Sequence, residues 1–228
     1  MYKILIVDDD QEILKLMKTA LEMRNYEVVT RQEVSLPLNI DDFQGFDLIL
    51  LDIMMSNIEG TEICKRIRRE VSIPIIFVSA KDTEEDIVNG LGIGGDDYIT
   101  KPFSLKQLVA KVEANIKREE RNKQAVQDFS EVRRDLGTIT FYLEERRVCV
   151  NGQTIPLTSR EYDILELLSR RTSKVYTRED IYDEVYDEYA DALFRSISEY
   201  IYQIRNKFAP YNIDPIKTVR GLGYKWHD

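Results

Sequence analysis

The chain has 228 residues, of which 43% are hydrophobic and 32% are charged, a composition that supports one or two folded domains and excludes a disordered chain. The single histidine, His227, excludes a metal site built on several histidines, and two cysteines are too few for a disulfide framework. Cys64 and Cys149 are expected to be thiols in a reducing cytoplasm. No apolar run approaches the roughly 18–20 residues that a membrane span needs, and a net charge of -9 does not by itself suggest nucleic-acid binding.

The first half of the chain alternates short apolar strands with amphipathic helices at the spacing of βαβ units. The predicted strands are Lys3–Val7, Glu27–Thr30, Phe46–Leu51, Ile73–Val78 and Asp97–Thr100. The predicted helices are Gln11–Met23, Gly60–Glu70, Thr83–Gly90 and Ser104–Glu119. The segment 33–42 has only a weak helix signal. This alternation predicts an α/β doubly wound, flavodoxin-like domain with a five-stranded parallel sheet.

The second half has a different order of elements. Three strand-like segments come first, then three helical segments, and a glycine-containing hairpin follows at 216–226. The strands are Thr138–Tyr142, Arg147–Val150 and Thr154–Leu157, and the helices are Ser159–Arg170, Thr177–Tyr186 and Ala192–Phe208. This order is typical of an α+β winged helix-turn-helix domain. We assign residues 1–120 to the first domain, 121–128 to a charged linker and 129–228 to the second domain.

Carboxylates stand where two of the predicted strands end. Asp8 and Asp9 follow the first strand, and Asp52 follows the third. Ligands of doubly wound sheets bind at the carboxyl ends of strands where the strand order reverses, so these acids converge if their strands are neighbours. Clustered carboxylates raise one another's pKa, and Mg²⁺, which prefers oxygen ligands, relieves that repulsion. The sequence therefore predicts a magnesium site.

Two further polar residues end strands at the same edge. Ser79 follows the fourth strand and Lys101 follows the fifth. A hydroxyl and an ammonium beside a metal-bound carboxylate can neutralise the charge on a transferring phosphoryl group. The Asp52 carboxylate is the natural nucleophile and would form an aspartyl phosphate. Because the chain has no glycine-rich nucleotide loop, we expect the phosphoryl group to come from an external donor.

The helix predicted at 192–208 combines a buried stripe with a polar face. Apolar residues recur every three or four positions, and the opposite face offers donors, acceptors and aromatic rings suited to a major groove. From Arg195 to Lys225 there are six basic and two acidic residues, whereas Tyr176–Asp191 holds seven acidic residues and one arginine. The terminal hairpin places Arg220 at its tip, where a slim cationic loop can enter a minor groove.

The motifs IVDDD, LILLDIMM, FVSAKD and GGDDYITKPF, in this order, resemble the receiver domain of bacterial response regulators. The resemblance implies that Asp52 accepts a phosphoryl group from a partner sensor histidine kinase. It implies that Asp9, Asp52 and the carbonyl of Met54 hold Mg²⁺ directly, and that Asp8 acts partly through water.

The same resemblance assigns roles to the remaining pocket residues. Lys101 would hold the phosphoryl group, and the Lys101–Pro102 peptide would be cis. Ser79 and Tyr98 would form a switch pair that moves on phosphorylation. The protein would then be a phosphoacceptor without a turnover substrate, rather than an enzyme.

The second half resembles the winged-helix domain of the OmpR/PhoB family in LTSREYDILELL, RSISEYIYQIRNKF and IKTVRGLGYKW. The resemblance implies binding to double-stranded promoter DNA. The DNA-facing positions it implies are Arg195, Tyr200, Tyr202, Gln203, Arg205, Thr218 and Arg220. The loop Tyr186–Asp191 lies where family members can touch RNA polymerase, although its acidity fits a solvated loop slightly better.

Family members dimerise on phosphorylation, and this sequence departs from their usual dimer face. A lysine and a glutamate that often pair across the dimer are replaced by Ile87 and Gln107. The charges that remain as cross-dimer partners are Asp96, Asp97, Lys111 and Arg118. A weaker or more apolar dimer is therefore expected. Several motifs are closest to regulators that answer lantibiotics and other antimicrobial peptides.

The sequence favours a phosphorylation-dependent DNA-binding transcriptional regulator of a two-component system, and two alternatives stay open. One is a DNA-binding regulator that works without phosphorylation and has an altered dimer face. The other is a Mg²⁺-dependent phosphatase that uses Asp52 as a turnover nucleophile. Such enzymes usually carry a general acid two residues beyond the nucleophile, where this chain has Met54.

Overall fold

The computed structural model describes residues 1–68, 70–128, 133–186 and 196–227. The chain forms two compact units, residues 1–116 and 117–228. Within the described ranges, no helix combines the length and the apolar character that crossing a bilayer requires. Both cysteines are buried thiols.

The first unit is built on a five-stranded parallel sheet in the order β2-β1-β3-β4-β5. The strands are β1 (Lys3–Val7), β2 (Glu27–Arg31), β3 (Leu48–Asp52), β4 (Ile75–Ser79) and β5 (Asp97–Thr100). β3 and β4 are buried along their whole length, as parallel strands covered on both faces must be. This topology confirms the α/β doubly wound fold predicted from the alternation of strands and helices.

Helices cover both faces of this sheet. They are α1 (Gln11–Glu22), α2 (Gly60–Ile67), α3 (Glu84–Ile93) and α4 (Leu105–Asp128). α1 and α4 pack side chains such as Leu21 and Val112 on one face, and α2 packs Ile63 on the other. Since the strand order reverses between β1 and β3, a crevice opens at the carboxyl ends of these two strands.

Two segments of this region differ from a regular alternation. The weak helix signal at 33–42 corresponds to a single short 3-10 helix, Ile40–Phe43. α4 continues to Asp128, so the segment predicted as a linker is helical. The domain boundaries at residues 120 and 128 stay predictions. The sequence divides between the two compact units after residue 116.

From residue 133 onward, the described part of the second unit forms two antiparallel sheets and the α-helices α5, α6 and α7. The first sheet has the order β6-β7-β8-β9, and the second pairs β10 with β11. These strands are β6 (Arg133–Leu136), β7 (Ile139–Tyr142), β8 (Arg147–Val150), β9 (Gln153–Ile155), β10 (Ile216–Val219) and β11 (Gly223–Trp226). The prediction missed β6. The helices are α5 (Ser159–Arg170), α6 (Arg178–Val185) and α7 (Ser196–Phe208).

Capping and aromatic packing hold the second unit together. Thr158 and Thr177 each form a capping box, with Glu161 and Asp180 as the reciprocal partners. The ring of Phe141 on β7 contacts Trp226 on β11 at a centroid distance of 5.9 Å. The order of strands, helices and a terminal hairpin is that of a winged helix-turn-helix domain, as predicted.

Candidate phosphoacceptor site and nucleic-acid interface

Three carboxylates meet at the crevice between β1 and β3. The two strands are adjacent and parallel, with Val7 opposite Leu51, so Asp8 and Asp52 are brought to the same edge. Asp8, Asp9 and Asp52 each place one carboxylate oxygen within 4.8 Å of the others. Asp8 and Asp52 are buried, whereas Asp9 is partly exposed. Among the described residues, this is the cluster that has the composition of a metal site.

Lys101 is the cation of this pocket. Its Nζ donates to Asp8 Oδ2 at 2.8 Å and to Asp52 Oδ2 at 3.0 Å. Burial raises the pKa of Asp8, although hydrogen bonds from Lys101 and from the Asp10 N–H oppose the rise. Burial would lower the pKa of Lys101, but its hydrogen bonds to the two carboxylates outweigh burial, so this pKa lies above its usual value. The Lys101–Pro102 peptide is cis, as the resemblance implied.

Ser79 and Tyr98 lie beside the pocket on neighbouring strands. Ser79 ends β4 and is fully buried, and its Oγ accepts from the Lys81 N–H at 3.2 Å. The Tyr98 hydroxyl donates to the Lys81 carbonyl at 2.9 Å. Burial raises the pKa of Tyr98. The two predicted switch residues are therefore linked through the backbone of Lys81.

The loop after Asp52 is held by its backbone. The Met54 N–H donates to Asp52 Oδ1 at 3.0 Å, and the Ser56 N–H donates to Asp9 Oδ2 at 2.8 Å. At Gly60 a Cβ would lie 2.0 Å from the Asp52 carbonyl oxygen, so only glycine lets α2 begin so close to β3. The sequence-based prediction gave Gly60 no role, although this glycine follows Asp52 by eight residues in the sequence.

Helix α7, here named the recognition helix, exposes fewer of the residues predicted to face DNA than expected. Tyr202 is 57% exposed, and Gln203 is half-buried with its amide donating to Glu199. Tyr200 is 1% exposed, so the prediction that it faces DNA is wrong for this structure. It follows Ile197 by three residues and therefore falls on the buried side of the helix. Arg195 lies outside the described residues.

The wing is the hairpin of β10 and β11. Arg220 and Thr218 are exposed, and Arg220 begins the turn between the strands. Tyr224 joins the wing to the segment before α6: its N–H donates to the Tyr176 carbonyl at 2.9 Å, and its carbonyl accepts from the Tyr176 N–H at 2.8 Å. Arg205, predicted to face DNA, instead donates to the Ile216 carbonyl and to Thr218 Oγ1.

Comparisons with known proteins now bear on this pocket and this winged helix. Residues 4–113 match the response regulator receiver domain, and residues 152–226 match the C-terminal domain of transcriptional regulatory proteins. The chain is 90% identical to the nisin biosynthesis regulatory protein NisR of Lactococcus lactis subsp. lactis over 226 residues, 99% of both chains. The chain belongs to the OmpR/PhoB family of response regulators.

Other relatives agree with this family assignment. The response regulator is 44% identical to the transcriptional regulatory protein SpaR of Bacillus subtilis, over 99% of this chain and 100% of SpaR. A solved structure of a RitR mutant has a TM-score of 0.84 and covers 100% of both chains, and at 23% identity it shows the fold alone. The chain is a DNA-binding transcriptional regulator of the two-component type.

The donor set of this response regulator fits a hard divalent cation. Asp8, Asp9 and Asp52 offer only carboxylate oxygens, which Mg²⁺ prefers over nitrogen and sulfur ligands. Their spacing within 4.8 Å lets one ion touch several of them while it retains water ligands. The same ion would reduce the repulsion among the carboxylates, which the Lys101 ammonium partly offsets.

The charges predicted for the dimer face of the response regulator are buried. Asp96 and Asp97 are 0% and 2% exposed, Lys111 is 2% exposed and Arg118 is 7% exposed. Asp96 pairs with Arg68, and Lys111 Nζ donates to Asp97 Oδ1 at 2.9 Å. The prediction that these side chains offer charge to a second copy is wrong for this structure, because they are buried and ion pairs within the chain already engage them.

Replacing Lys101 with Met is expected to destabilise the response regulator when divalent cations are absent. The change leaves the Asp8 and Asp52 carboxylates close together without their cation, a loss of about 2 kcal/mol for a partly buried pair. Mg²⁺ should then stabilise the variant more than the unmodified protein, because the ion replaces the missing charge. Urea unfolding followed by circular dichroism, with Mg²⁺ or with a chelator, measures both effects.

Lys106→Met is the matched control, since Lys106 is exposed in the same segment of the chain. It should change neither the stability nor the response to Mg²⁺. Equal stabilisation by Mg²⁺ of the Lys101→Met and unmodified proteins would contradict the assignment of Lys101 as the balancing charge.

Proposed function

We propose that Asp52 accepts a phosphoryl group from a sensor histidine kinase, and that the aspartyl phosphate controls binding to promoter DNA. The observation that carries this proposal is the convergence of three carboxylates and the Lys101 ammonium at the carboxyl edge of the sheet. Of the three acids, Asp52 alone belongs to the central strand, whose neighbours carry Asp8 on one side and Ser79 on the other.

Each pocket residue has a chemical role in this proposal. Asp8, Asp9, Asp52 and the Met54 carbonyl would hold Mg²⁺, which supplies positive charge to the oxygens of the incoming phosphoryl group. Asp52 attacks phosphorus through a carboxylate oxygen, and the donor leaves with the electrons of the broken bond. Lys101 then holds the new phosphoryl oxygens by charge-assisted hydrogen bonds.

Ser79 and Tyr98 would convert the phosphoryl group into a change of shape. The Ser79 hydroxyl ends β4, and a move toward the phosphoryl group would alter its contact with the Lys81 N–H, whose residue also accepts from Tyr98. We infer that this local change favours the pairing of two chains. A homodimer would place two winged helices on two half-sites and raise the apparent affinity through effective concentration.

The partners of this regulator would be double-stranded promoter DNA, a sensor histidine kinase, a second copy of the chain and RNA polymerase, within the cytoplasm. Arg195, Tyr202 and Gln203 would face the major groove, and Arg220 would reach the minor groove. The polymerase contact would use the acidic loop Tyr186–Asp191, of which residues 187–191 lie outside the described residues. The 90% identity to NisR supports a role in regulating lantibiotic genes.

The experiment combines modification with DNA binding. The full chain is incubated with Mg²⁺ and a small acyl phosphate, intact mass is recorded, and affinity is measured for a duplex selected from a random library by the treated protein. We expect one added phosphoryl group, none with a chelator present, and about tenfold tighter DNA binding after modification.

Two results would favour the alternatives. Equal DNA affinity of the modified and unmodified chains would support a regulator that works without phosphorylation. Rapid multiple turnover of phosphate monoesters would support the phosphatase. A chain that binds DNA but is never modified would overturn the proposed phosphoacceptor role.

A further inference from the structure

Arg205 connects the recognition helix to the wing. Its Nε donates to Asp214 Oδ1 at 3.1 Å, and its Nη2 donates to the Ile216 carbonyl at 2.6 Å and to Thr218 Oγ1 at 3.0 Å. These three bonds use the single N–H of Nε and both N–H groups of Nη2. Two of the three acceptors therefore lie on β10, and the third, Asp214, lies just before it.

Asp214 completes this connection from the side of the wing. The oxygen that accepts from Arg205, Oδ1, also accepts from the Ile216 N–H at 3.1 Å. The backbone carbonyl oxygen of Asp214 lies 3.0 Å from His227 Nδ1. The His227 N–H donates to the Pro215 carbonyl at 2.9 Å. The start of β10 is thus held from the helix and from the segment that follows β11.

We propose that Arg205 is a positioning residue, which fixes the wing at the distance from α7 that allows one DNA duplex to be contacted in two grooves. The proposal rests on the proposed DNA surface of α7 and Arg220. It replaces the sequence-based expectation that Arg205 and Thr218 contact DNA directly.

The geometry explains why such a connection matters. In this proposal α7 contacts the major groove and the wing tip contacts the minor groove, and a strand of phosphates separates the two grooves. If the distance between α7 and the wing is wrong, the chain cannot make both contacts at the same time. The wing is a two-stranded hairpin, which has little stability by itself. Charge-assisted hydrogen bonds to its first strand restrict its position before DNA arrives.

Asp214→Asn separates the two interpretations by the sign of its effect. If Arg205 contacts a phosphate, the variant frees the guanidinium and removes a negative charge near DNA, and affinity should rise. If Arg205 positions the wing, the weakened bond should lower affinity for the selected duplex by roughly tenfold despite the favourable charge change. Fluorescence anisotropy at several salt concentrations gives the affinity and the salt slope.

A second measurement tests the coupling between Arg205 and the wing tip. In a chain without other substitutions, Arg220→Ala should weaken binding to the selected duplex roughly tenfold, because a minor-groove contact is lost. In the Asp214→Asn or Arg205→Gln background the same change should cost less than about threefold, because the wing no longer reaches its groove in a fixed position. A substitution that only lowered the fraction of folded protein would leave the tenfold effect of Arg220→Ala on DNA affinity in place.

Lys207→Gln is the matched control, because Lys207 is a basic residue of the same helix that pairs with Glu161 instead of the wing. It should leave the effect of Arg220→Ala at roughly tenfold. Should Arg205→Gln fail to fold, Asp214→Asn still decides the question.

Two outcomes would overturn the positioning role alone: tighter binding by Asp214→Asn, or an undiminished Arg220→Ala effect in both backgrounds. Failure of the phosphorylated chain without substitutions to bind any duplex would instead overturn the proposed DNA surface.

Discussion

Asp52→Asn is expected to abolish phosphorylation of the chain by a small acyl phosphate and by a sensor kinase. The amide has no negative charge with which to attack phosphorus, and the neighbouring acids cannot replace it. Asp8 has no exposed surface, whereas Asp52 keeps a small exposed fraction, and one oxygen of Asp9 accepts from the Ser56 N–H. Intact mass spectrometry after incubation with donor and Mg²⁺ should show no added phosphoryl group.

Asp10→Asn is the matched control for this loss. Asp10 belongs to the same run of acids, but its side chain caps α1 by accepting from the N–H groups of Glu12 and Ile13. Asparagine caps helices equally well, so the fold and the modification should both persist. A phosphoryl group on the Asp52→Asn chain, mapped by peptide sequencing to Asp8 or Asp9, would show that the nucleophile is misassigned.

The pocket could be predicted because its geometry follows from topology. Residues at the carboxyl ends of parallel strands meet at one edge, so Asp8, Asp52, Ser79 and Lys101 needed only a correct strand order to converge. The βαβ connections that the alternating hydrophobic pattern indicates limit the possible orders. They leave open whether the first and third strands are neighbours, and the structure places β1 beside β3. Contacts such as that between Gly60 and the Asp52 carbonyl depend on distances of a few ångströms, which the pattern does not contain.

The error at Tyr200 arose from giving family resemblance more weight than periodicity. Ile197, Tyr200, Ile201, Ile204 and Phe208 follow the three- and four-residue spacing of a buried helix face, and all are buried. The spacing alone would have placed Tyr200 correctly. The residue type did not help, because tyrosine has an apolar ring and a polar hydroxyl and is common both in cores and at DNA surfaces.

Charged residues were harder to place than apolar ones. A charge at a surface-like position can meet a second chain, DNA or its own chain, and the sequence does not distinguish these partners. Asp97 and Lys111 pair with each other, and Arg205 pairs with Asp214, although both the lysine and the arginine were predicted to meet external partners. The predicted end of α4, Glu119, fell short of Asp128 for a related reason: the segment between them has strong helix formers but no apolar stripe.

Gly223→Ala is expected to detach the wing and to remove specific DNA binding. Gly223 has φ +152, and a Cβ there would lie 2.0 Å from the Tyr176 carbonyl oxygen and 2.9 Å from its carbon. Backbone atoms cannot yield as a flexible side chain can, so the bridge between Tyr176 and Tyr224 must open. Strain and two lost hydrogen bonds together cost about 3 kcal/mol. The wing would then no longer present Arg220 at a fixed place.

Gly221→Asn provides the comparison, because Gly221 has φ +74 and a Cβ added there would have no neighbour within 4 Å. Asparagine tolerates this left-handed conformation, so the loss of stability should stay below about 1 kcal/mol. Anisotropy with the selected duplex should show a loss of at least about tenfold for Gly223→Ala and a small change for Gly221→Asn. Because Gly223 lies in the second unit, phosphorylation of Asp52 should continue in both variants. Near-normal DNA affinity of Gly223→Ala would mean that the Tyr176 bridge does not hold the wing in its binding position.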